Sequence, residues 1–345
     1  MGSFNNFYLR PNLSSIGMIP AAGATYLSPD ICIAGTRPIA DYQKELKSPD
    51  SYASDVDYGI SPKMENYIYL RTTNNTENTS STDAFLYYSE ASCIQWPSKW
   101  KDNKIPIDIS QTQYCNTIVN VPSKDIGVVE HPFIWRAPGY PPTNDHYCLI
   151  ARLTSDVDPN PLPNLNRSID MADLIRNNLR WTQRNVTMLK RDVPVASFEY
   201  VLDIPENVED ENDYYQTCAV PVKLKGCEIE LTCSVADSDG NPISIPRTEI
   251  KKDDDLGFFS KNRLKPGFRG LVVVYIYNPN SISVPVGSGV DIDLQYVLSK
   301  SEIALAENKG LLDPAYEKQM DKLGSDHSTI TRLLKIGGYS GVMTI

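Results

Sequence analysis

Short apolar and aromatic runs alternate with clusters of Pro, Gly, Asn and Asp along the first half of the chain. Two of these runs, Asn66–Thr73 and Asp83–Ala91, flank a polar segment and are predicted to form a hairpin-like unit. Further strand-like runs follow at 116–123, 131–138, 146–153 and 180–189. Helical spacing is nearly absent, apart from one turn at Asp170–Asn177. This pattern is typical of many short strands joined by turns.

The strand pattern restarts after residue 196, with runs at 197–205 and 221–236. Next, Asp237–Pro242 places Asp-Gly and Asn-Pro in succession, which predicts a tight reverse turn. Leu271–Tyr277 is apolar on both faces, so it is predicted to be a central strand with both sides covered. This run and 288–298 are expected to be the last two strands of a second set of sheets.

The character of the chain changes at Ser299. The stretch 299–324 is rich in Ala, Leu, Glu and Lys and carries apolar residues at helical spacing. Gly310 and Pro314 divide it into two short predicted helices. The end of the chain, 328–345, contains several glycines and small residues, so we expect a flexible or strand-adding tail there.

Composition narrows the classes of function. The chain of 345 residues (38.6 kDa) is 41% hydrophobic and 22% charged, an ordinary globular profile that excludes wholesale disorder. Its 33 Lys and Arg against 43 Asp and Glu give a formal net charge of −10. An acidic surface repels phosphate backbones, so no nucleic-acid partner is expected.

The amino-terminal sequence lacks the basic start and continuous apolar run of a signal peptide. No apolar stretch is long enough to cross a membrane as a helix. We therefore expect a protein that is cytoplasmic as synthesised and has no membrane span. If it is exported, a non-classical route is expected.

The seven cysteines are odd in number, irregularly spaced and form no C-x-x-C pair. Several lie inside apolar runs, which favours reduced thiols buried in the core. A Cys227–Cys233 or Cys218–Cys227 bridge is the alternative. None of the three histidines has a cysteine or second histidine at zinc-finger spacing, so no metal site is predicted.

Six motifs follow one another in the first half of the chain. They are NYIYLR (66–71), AFLYYSEA (84–91), WPSKW (96–100), HPFIWRAP (131–138), HYCLIAR (146–152) and IRNNLRWTQRNV (175–186). In this order they resemble a bacterial immunoglobulin-like domain of the CARDB type. The chain departs from that pattern at Leu179 and Arg180, where the family has an apolar pair before the tryptophan. The resemblance implies a seven-stranded β-sandwich with a role in binding or presentation and no catalytic residue.

The whole two-part layout with its short helical tail is also similar to the MakC/MakD-type accessory proteins. These are encoded beside the α-helical pore-forming components of bacterial tripartite (Mak) toxins. The similarity implies an accessory β-protein that does not itself form a pore.

These patterns together predict a mainly β protein with two immunoglobulin-like β-sandwich domains and a short helical C-terminal tail. The expected divisions are an amino-terminal extension at 1–20, a CARDB-like sandwich at 21–195, a second sandwich at 196–298 and a helical or flexible tail at 299–345.

The four tryptophans are the main candidate site residues. Trp135 and Trp181 lie in strand-like segments and are predicted to fill the core. Trp96 and Trp100 lie in a loop, where a core position and an exposed contact surface are both open. The candidate contact patch consists of Trp96, Pro97, Lys99 and Trp100.

Two acidic segments of the second half are compared with known cation sites. Asp237–Asn241 is similar to the opening of a calcium loop but lacks the later Glu and the flanking helices, so a plain turn is favoured. Lys251–Gly257 is interpreted as a solvated loop. Whether the two segments share a cation stays open at this point.

Motifs of common enzymes are absent from the sequence, including G-x-S-x-G, the P-loop, G-x-G-x-x-G after a strand, and H-E-x-x-H. We therefore predict no catalytic residue and no cofactor, and do not expect an enzyme. The favoured function is a non-enzymatic accessory or binding protein of a bacterial toxin or secretion system, in contact with a protein partner such as a toxin component or a second copy. A carbohydrate-binding protein that uses Trp96 and Trp100 is the alternative, and a hydrolase is third.

Overall fold

The computed structural model describes residues 2–61, 63–138, 147–190, 193–252, 257–312 and 332–344. Strands account for 44% of the structure and helices for 10%, which confirms the mainly β prediction. His146, most of the Lys251–Gly257 segment and the second predicted tail helix lie outside the described residues.

The strands that precede the middle of the chain are β1 (Gly2–Ser3), β2 (Phe7–Tyr8), β3 (Met18–Ile19), β4 (Ile31–Gly35), β5 (Glu65–Asn74), β6 (Ser80–Glu90), β7 (Asn116–Val121), β8 (Ile126–Val128), β9 (Phe133–Arg136), β10 (Tyr147–Thr154) and β11 (Trp181–Arg184). The later strands are β12 (Val186–Lys190), β13 (Val195–Asp203), β14 (Tyr214–Val222), β15 (Glu228–Ala236), β16 (Pro242–Glu249), β17 (Phe258–Arg263), β18 (Arg269–Tyr277), β19 (Gly289–Val297) and β20 (Leu333–Thr344). The helices are α1 (Tyr42–Glu45), α2 (Pro49–Tyr52), α3 (Pro97–Trp100), α4 (Ser168–Asn177) and α5 (Lys300–Asn308).

Two antiparallel sheets face each other across an apolar core in the first half. In one sheet β5 is central and pairs with β2, β4, β8 and β9, and the other has the order β11-β10-β6-β7. Alternate residues of β6 and β10 point into the core, as the two-residue period of a strand requires, whereas β5 buries the consecutive residues 68–70 in it. Examples at 0% exposure are Ile68 and Leu70 of β5, Leu86 of β6 and Leu153 of β10.

The predicted hairpin of β5 and β6 is wrong, because the two strands lie in opposite sheets. Asn74 is the last residue of β5. Its side chain donates hydrogen bonds to the carbonyls of Asn78 and Val121, each at 2.8 Å. These bonds hold the connection that carries the chain from one sheet to the other. An alternating pattern gives each strand a buried face but does not specify which strand lies beside it.

The second half also forms two facing sheets. One has the order β13-β18-β15-β16, and the other has the order β12-β20-β19-β14-β17. All pairings are antiparallel except that of β12 with β20, which is parallel. The predicted central position of Leu271–Tyr277 is confirmed in β18, which is flanked by β13 and β15. The prediction that both of its faces are covered is wrong, because every second residue is only half-buried.

The passage between the two halves is a buried junction rather than a linker. Strand β11 runs into β12 through Asn185, which is 0% exposed. Its side-chain amide donates to the carbonyls of Ser92 and Gly338, each at 3.2 Å. The chain therefore leaves the first sandwich at Asn185, before the boundary expected at 195/196.

The end of the chain is helix followed by strand. Helix α5 begins with a capping box, in which Ser299 accepts from the Glu302 amide while Glu302 accepts from the Ser299 amide. Strand β20 inserts between β12 and β19, so the strand-adding alternative is right for Leu333–Thr344. A Cβ at Gly338 would lie 1.9 Å from the Tyr26 ring, so only glycine allows this close approach.

A buried group of charges ties the amino-terminal segment to the first sandwich. The Arg10 guanidinium lies 2.6 Å from Asp30, and the Arg71 Nε lies 3.2 Å from the same carboxylate. Asp30 and Arg71 are both 0% exposed. The residues predicted as an extension therefore pack into the sheet, where β2 pairs with β5.

The same region continues to Arg184 at the end of β11. Its guanidinium lies 2.8 Å from Asp55 and 2.6 Å from Asp57. Arg184 and Arg71 also donate to consecutive main-chain carbonyls, those of Ser28 and Pro29. We call Arg10, Arg71, Arg184, Asp30, Asp55 and Asp57 the arginine cluster.

Candidate functional site

The predicted contact patch at 96–100 is not an exposed tryptophan surface. Trp96 and Trp100 are each 1% exposed, Pro97 is buried, and only Lys99 reaches solvent. Lys99 forms an ion pair with Asp203 at 2.7 Å. The patch expected from the sequence therefore consists of three buried residues and one surface lysine.

The local fold explains this burial. Pro97 begins the short helix α3, and this turn directs the two indoles into different clusters. Trp96 packs in the core of the second half, whereas the Trp100 ring lies 5.5 Å from the Trp181 ring in a smaller cluster. A planar platform for a sugar is therefore not available from these two residues.

Trp135 and Trp181 are confirmed as core residues, each 4% exposed. The Trp135 ring lies 5.0 Å from that of Tyr88, in the core of the first half. The Trp181 Nε1 donates to the Asn160 side chain at 3.1 Å, so its polar atom is satisfied inside the protein.

The Asp237–Asn241 segment is a tight turn, as predicted. Asp237 Oδ1 accepts from the amides of Asp239 and Asn241 at 3.0 Å and 2.8 Å. Asp239 is paired with Arg263 at 3.1 Å. Across the described ranges, no three His, Cys, Asp or Glu side chains cluster closely enough to hold a metal ion.

All seven cysteines are free thiols in this structure. Burial raises the pKa of Cys32, Cys148 and Cys218 to about 12. A buried, protonated thiol reacts slowly, since the thiolate is the nucleophile. Cys115 is exposed and Cys233 is half-buried.

We predict that a thiol reagent near pH 8 modifies Cys115 first in the folded protein and reaches all seven thiols only after unfolding. The melting temperature should be unchanged by reductant. Reagent kinetics with and without denaturant, together with thermal melts with and without reductant, check this. A large drop in the melting temperature with reductant would reveal a bridge that contributes roughly 2–4 kcal/mol.

One face of β18 is turned away from the core. Val272, Val274 and Ile276 are 0–1% exposed, whereas the alternate residues are only half-buried. Among these, the Tyr275 and Tyr277 rings stack with their centroids 6.0 Å apart.

Charged side chains surround these tyrosines. The Tyr277 hydroxyl donates to Glu230 at 2.5 Å, and the Arg247 guanidinium lies 4.0 Å above the Tyr277 ring. Arg247 also pairs with Glu228 at 2.5 Å. Val195, 48% exposed, is the cross-strand neighbour of Tyr277 on β13. We call the surface formed by Val195, Val273, Tyr275, Tyr277, Glu228 and Glu230 the tyrosine face.

A cavity of about 260 Å³ lies on the other sheet of the second half, where the segment 21–26 packs against β14, β19 and β20. Asp291 and Asp293 of β19 and Lys335 of β20 line it. Asp293 accepts from the Tyr26 hydroxyl at 2.8 Å and pairs with Lys335 at 2.6 Å. We call this space the polar cavity.

The electrostatics of the polar cavity follow from its depth. Burial raises the pKa of Asp291, and the Asp293 charge acts in the same direction, while the Ser340 hydroxyl and Lys335 oppose the shift. Burial together with the two aspartates also raises the pKa of Tyr26 well above its usual range. Tyr26 is therefore a neutral hydrogen-bond donor here.

The sequence carries a signal for part of this cavity. The run Gly289–Val297 alternates apolar and polar residues, with aspartates at 291 and 293. Residues two apart on a strand share a face, so both carboxylates had to lie together. Residues 21–26 cover that face, but they are distant in sequence and have no pattern that predicts this contact.

No family model and no curated protein matches this chain. Among solved structures, it is similar to the Enterococcus faecalis MSCRAMM ACE, which binds its ligands by the collagen hug model, with 8% identity, a TM-score of 0.24 and coverage of 82% of this chain and 91% of that chain. CfaE, the adhesive subunit of CFA/I fimbria of enterotoxigenic Escherichia coli, shows 7% identity and a TM-score of 0.21 over 100% and 94%. The secreted serine protease VesC from Vibrio cholerae shows 10% identity and a TM-score of 0.21 over 67% and 46%. With TM-scores below 0.5, none of these similarities supports a function.

Among the helices that the structure describes, none combines the length and apolar character needed to cross a membrane.

Proposed function

We propose that this protein is a non-enzymatic accessory protein that binds another protein through the tyrosine face. The observation that carries the proposal is the half-buried, solvent-facing pair Tyr275 and Tyr277 on the central strand β18. Tyrosine and arginine are enriched among the residues that dominate binding energy at protein interfaces. A rigid strand in the middle of a sheet presents them at little cost in conformational entropy.

The charges of the face indicate the chemistry of the partner. Glu228 and Glu230 lie beside the tyrosines, Glu199 lies on the neighbouring strand, and the whole chain has a formal net charge of −10. We therefore propose a protein partner whose contact surface is apolar at its centre and basic at its rim. Membership of a bacterial toxin or secretion system, which the resemblance to the MakC/MakD-type proteins implies, is part of the proposal.

The double variant Tyr275→Ser/Tyr277→Ser should lose its partner while its melting temperature stays close to that of the wild type. The matched control is Tyr214→Ser, which removes a 40% exposed tyrosine from the other sheet. Each tagged protein would be cross-linked in producing cells, and the captured proteins would be compared. We expect one partner that is captured by the wild type and the control and is missing from the double variant.

Capture that is equal in all three proteins would contradict the proposal. A glycan array provides the other arm of the test. Binding to a glycan that depends on Tyr275 and Tyr277 would assign the face to a carbohydrate instead of a protein.

A further inference from the structure

The polar cavity holds a buried hydroxyl that the protein does not use, together with a carboxylate that has one hydroxyl partner. Asp291, which is half-buried, accepts from the Ser340 hydroxyl at 2.6 Å through Oδ1. Thr25, 2% exposed, lines the same cavity, and its hydroxyl is buried without a hydrogen-bond partner. A buried hydroxyl is rarely left unpaired, so its position in a cavity beside a carboxylate points to a ligand.

Two carboxylates and two cationic groups line the cavity, and the surroundings of Asp291 favour a cation. Arg176 donates to the main-chain carbonyls of Ala21 and Leu311. Lys335 is engaged by Asp293 and lies 5.0 Å from the centre of the Tyr26 ring. The Tyr26 hydroxyl donates to the same oxygen of Asp293, Oδ1, so this carboxylate has both a cation and a hydroxyl as partners. The carboxylate of Asp291 has only a neutral hydroxyl as a direct partner. A buried carboxylate is costly until a positive group pairs with it.

The remaining wall limits the size and polarity of a ligand. Ala21, Val220, Leu311 and Leu333 give part of the cavity an apolar lining. A volume of about 260 Å³ is near the lower end of the range for small-molecule sites. An ammonium group supplies three donors and no acceptor, which suits a carboxylate beside a hydroxyl.

We propose that the polar cavity binds a small primary amine, with its ammonium group on Asp291 and its apolar tail against Val220, Leu311 and Leu333. This site goes beyond the proposed function and does not depend on it. The tyrosine face belongs to the opposite sheet of the second half.

Calorimetric titration with phenethylamine tests the proposal, and phenethyl alcohol is the matched neutral probe. We expect the wild type to bind the amine at least about ten-fold more tightly than the alcohol. Asp291→Asn should weaken amine binding by about ten-fold or more, because it keeps the shape but removes the charge. Asp239→Asn, in the exposed turn, should bind the amine like the wild type.

The pH dependence gives a second readout. The amine stays protonated between about pH 7 and pH 4, so any loss of binding in acid reports carboxylates of the protein. Binding should weaken as the pH falls through the raised pKa of Asp291. The neighbouring groups Asp293, Lys335, Tyr26 and Arg176 are unchanged in Asp291→Asn, which should lack this acid transition.

The same variant checks that folding is intact. A carboxyl whose pKa is raised by folding costs stability above that pKa, so Asp291→Asn should melt higher than the wild type at pH 7. The difference should vanish as the pH falls below the ordinary value for aspartate. Ala24→Phe, which narrows the cavity from a half-buried position, is a second variant expected to lose the amine.

Equal affinity for amine and alcohol would overturn the proposal. So would the absence of amine binding up to about 10 mM, a concentration that corresponds to a negligible affinity. Wild-type affinity in both Asp291→Asn and Ala24→Phe would place the amine elsewhere. None of these results would affect partner capture by the tyrosine face, so the two proposals fail separately.

Discussion

Replacement of Asp30 by asparagine should destabilise the protein by about 3–5 kcal/mol, because it leaves two buried guanidinium groups without their shared carboxylate. Arg10 and Arg71 both bind Asp30, at 2.6 Å and 3.2 Å, and all three side chains are at most 5% exposed. Water cannot replace the lost charge at this depth. Urea unfolding monitored by fluorescence measures the change.

The matched control is Glu65→Gln, which breaks an ion pair with Arg136 at 3.0 Å on the surface of the same sheet. Solvent screens that pair, so its loss should cost about 0–1 kcal/mol. If Asp30→Asn costs no more than Glu65→Gln, the arginine cluster is hydrated in solution. That result would contradict the conclusion that the arginine cluster holds the amino-terminal segment on the first sandwich.

Truncation of any one of the four tryptophans to alanine should lower the free energy of unfolding by about 3–5 kcal/mol. Trp135 and Trp181 are buried, as the sequence predicted. Trp96 and Trp100 are buried as well, and all four side chains are at most 4% exposed. A loss of this size is a large share of the stability of an ordinary domain. Urea unfolding of the four single variants checks the prediction.

Lys101→Ala is the control for the segment 96–101, since Lys101 is exposed immediately after α3. Its free energy of unfolding should stay within about 0.5 kcal/mol of that of the wild type. A normal midpoint for Trp96→Ala or Trp100→Ala, beside a large shift for Trp135→Ala, would show that the loop opens in solution. The contact patch predicted from the sequence would then be exposed in solution.

Local pattern was sufficient for much of the secondary structure. The turn at Asp237–Asn241 and the helical turn at Asp170–Asn177 form as predicted, and Leu271–Tyr277 has the predicted central position in its sheet. Each depends on residues close in sequence, whose capping, turn and periodicity preferences act before any distant contact is made. The toxin association and the absence of enzymatic activity stay predictions, because neither depends on such local preferences.

The candidate sites depend on contacts between distant segments. The β18 pattern indicated two covered faces, yet one face carries Tyr275 and Tyr277 toward solvent. A strand with large apolar residues on both sides has the same sequence pattern whether its outer face is covered by a second layer of the fold or by a binding partner. The two aspartates of β19 were visible as a shared face, but the Tyr26 segment that closes the cavity was not.

The sequence by itself determined that this is a mainly β protein, where many of its strands and the turn at Asp237–Asn241 lie, and that Trp135 and Trp181 are core. It could do so because strand period and turn chemistry are properties of neighbouring residues. Only the tertiary structure decided that β5 and β6 lie in opposite sheets, that β20 enters the middle of a sheet, and that Trp96 and Trp100 are buried. Strand pairing and burial arise from the simultaneous packing of segments far apart in the chain, and many pairings satisfy the same alternation of apolar and polar residues.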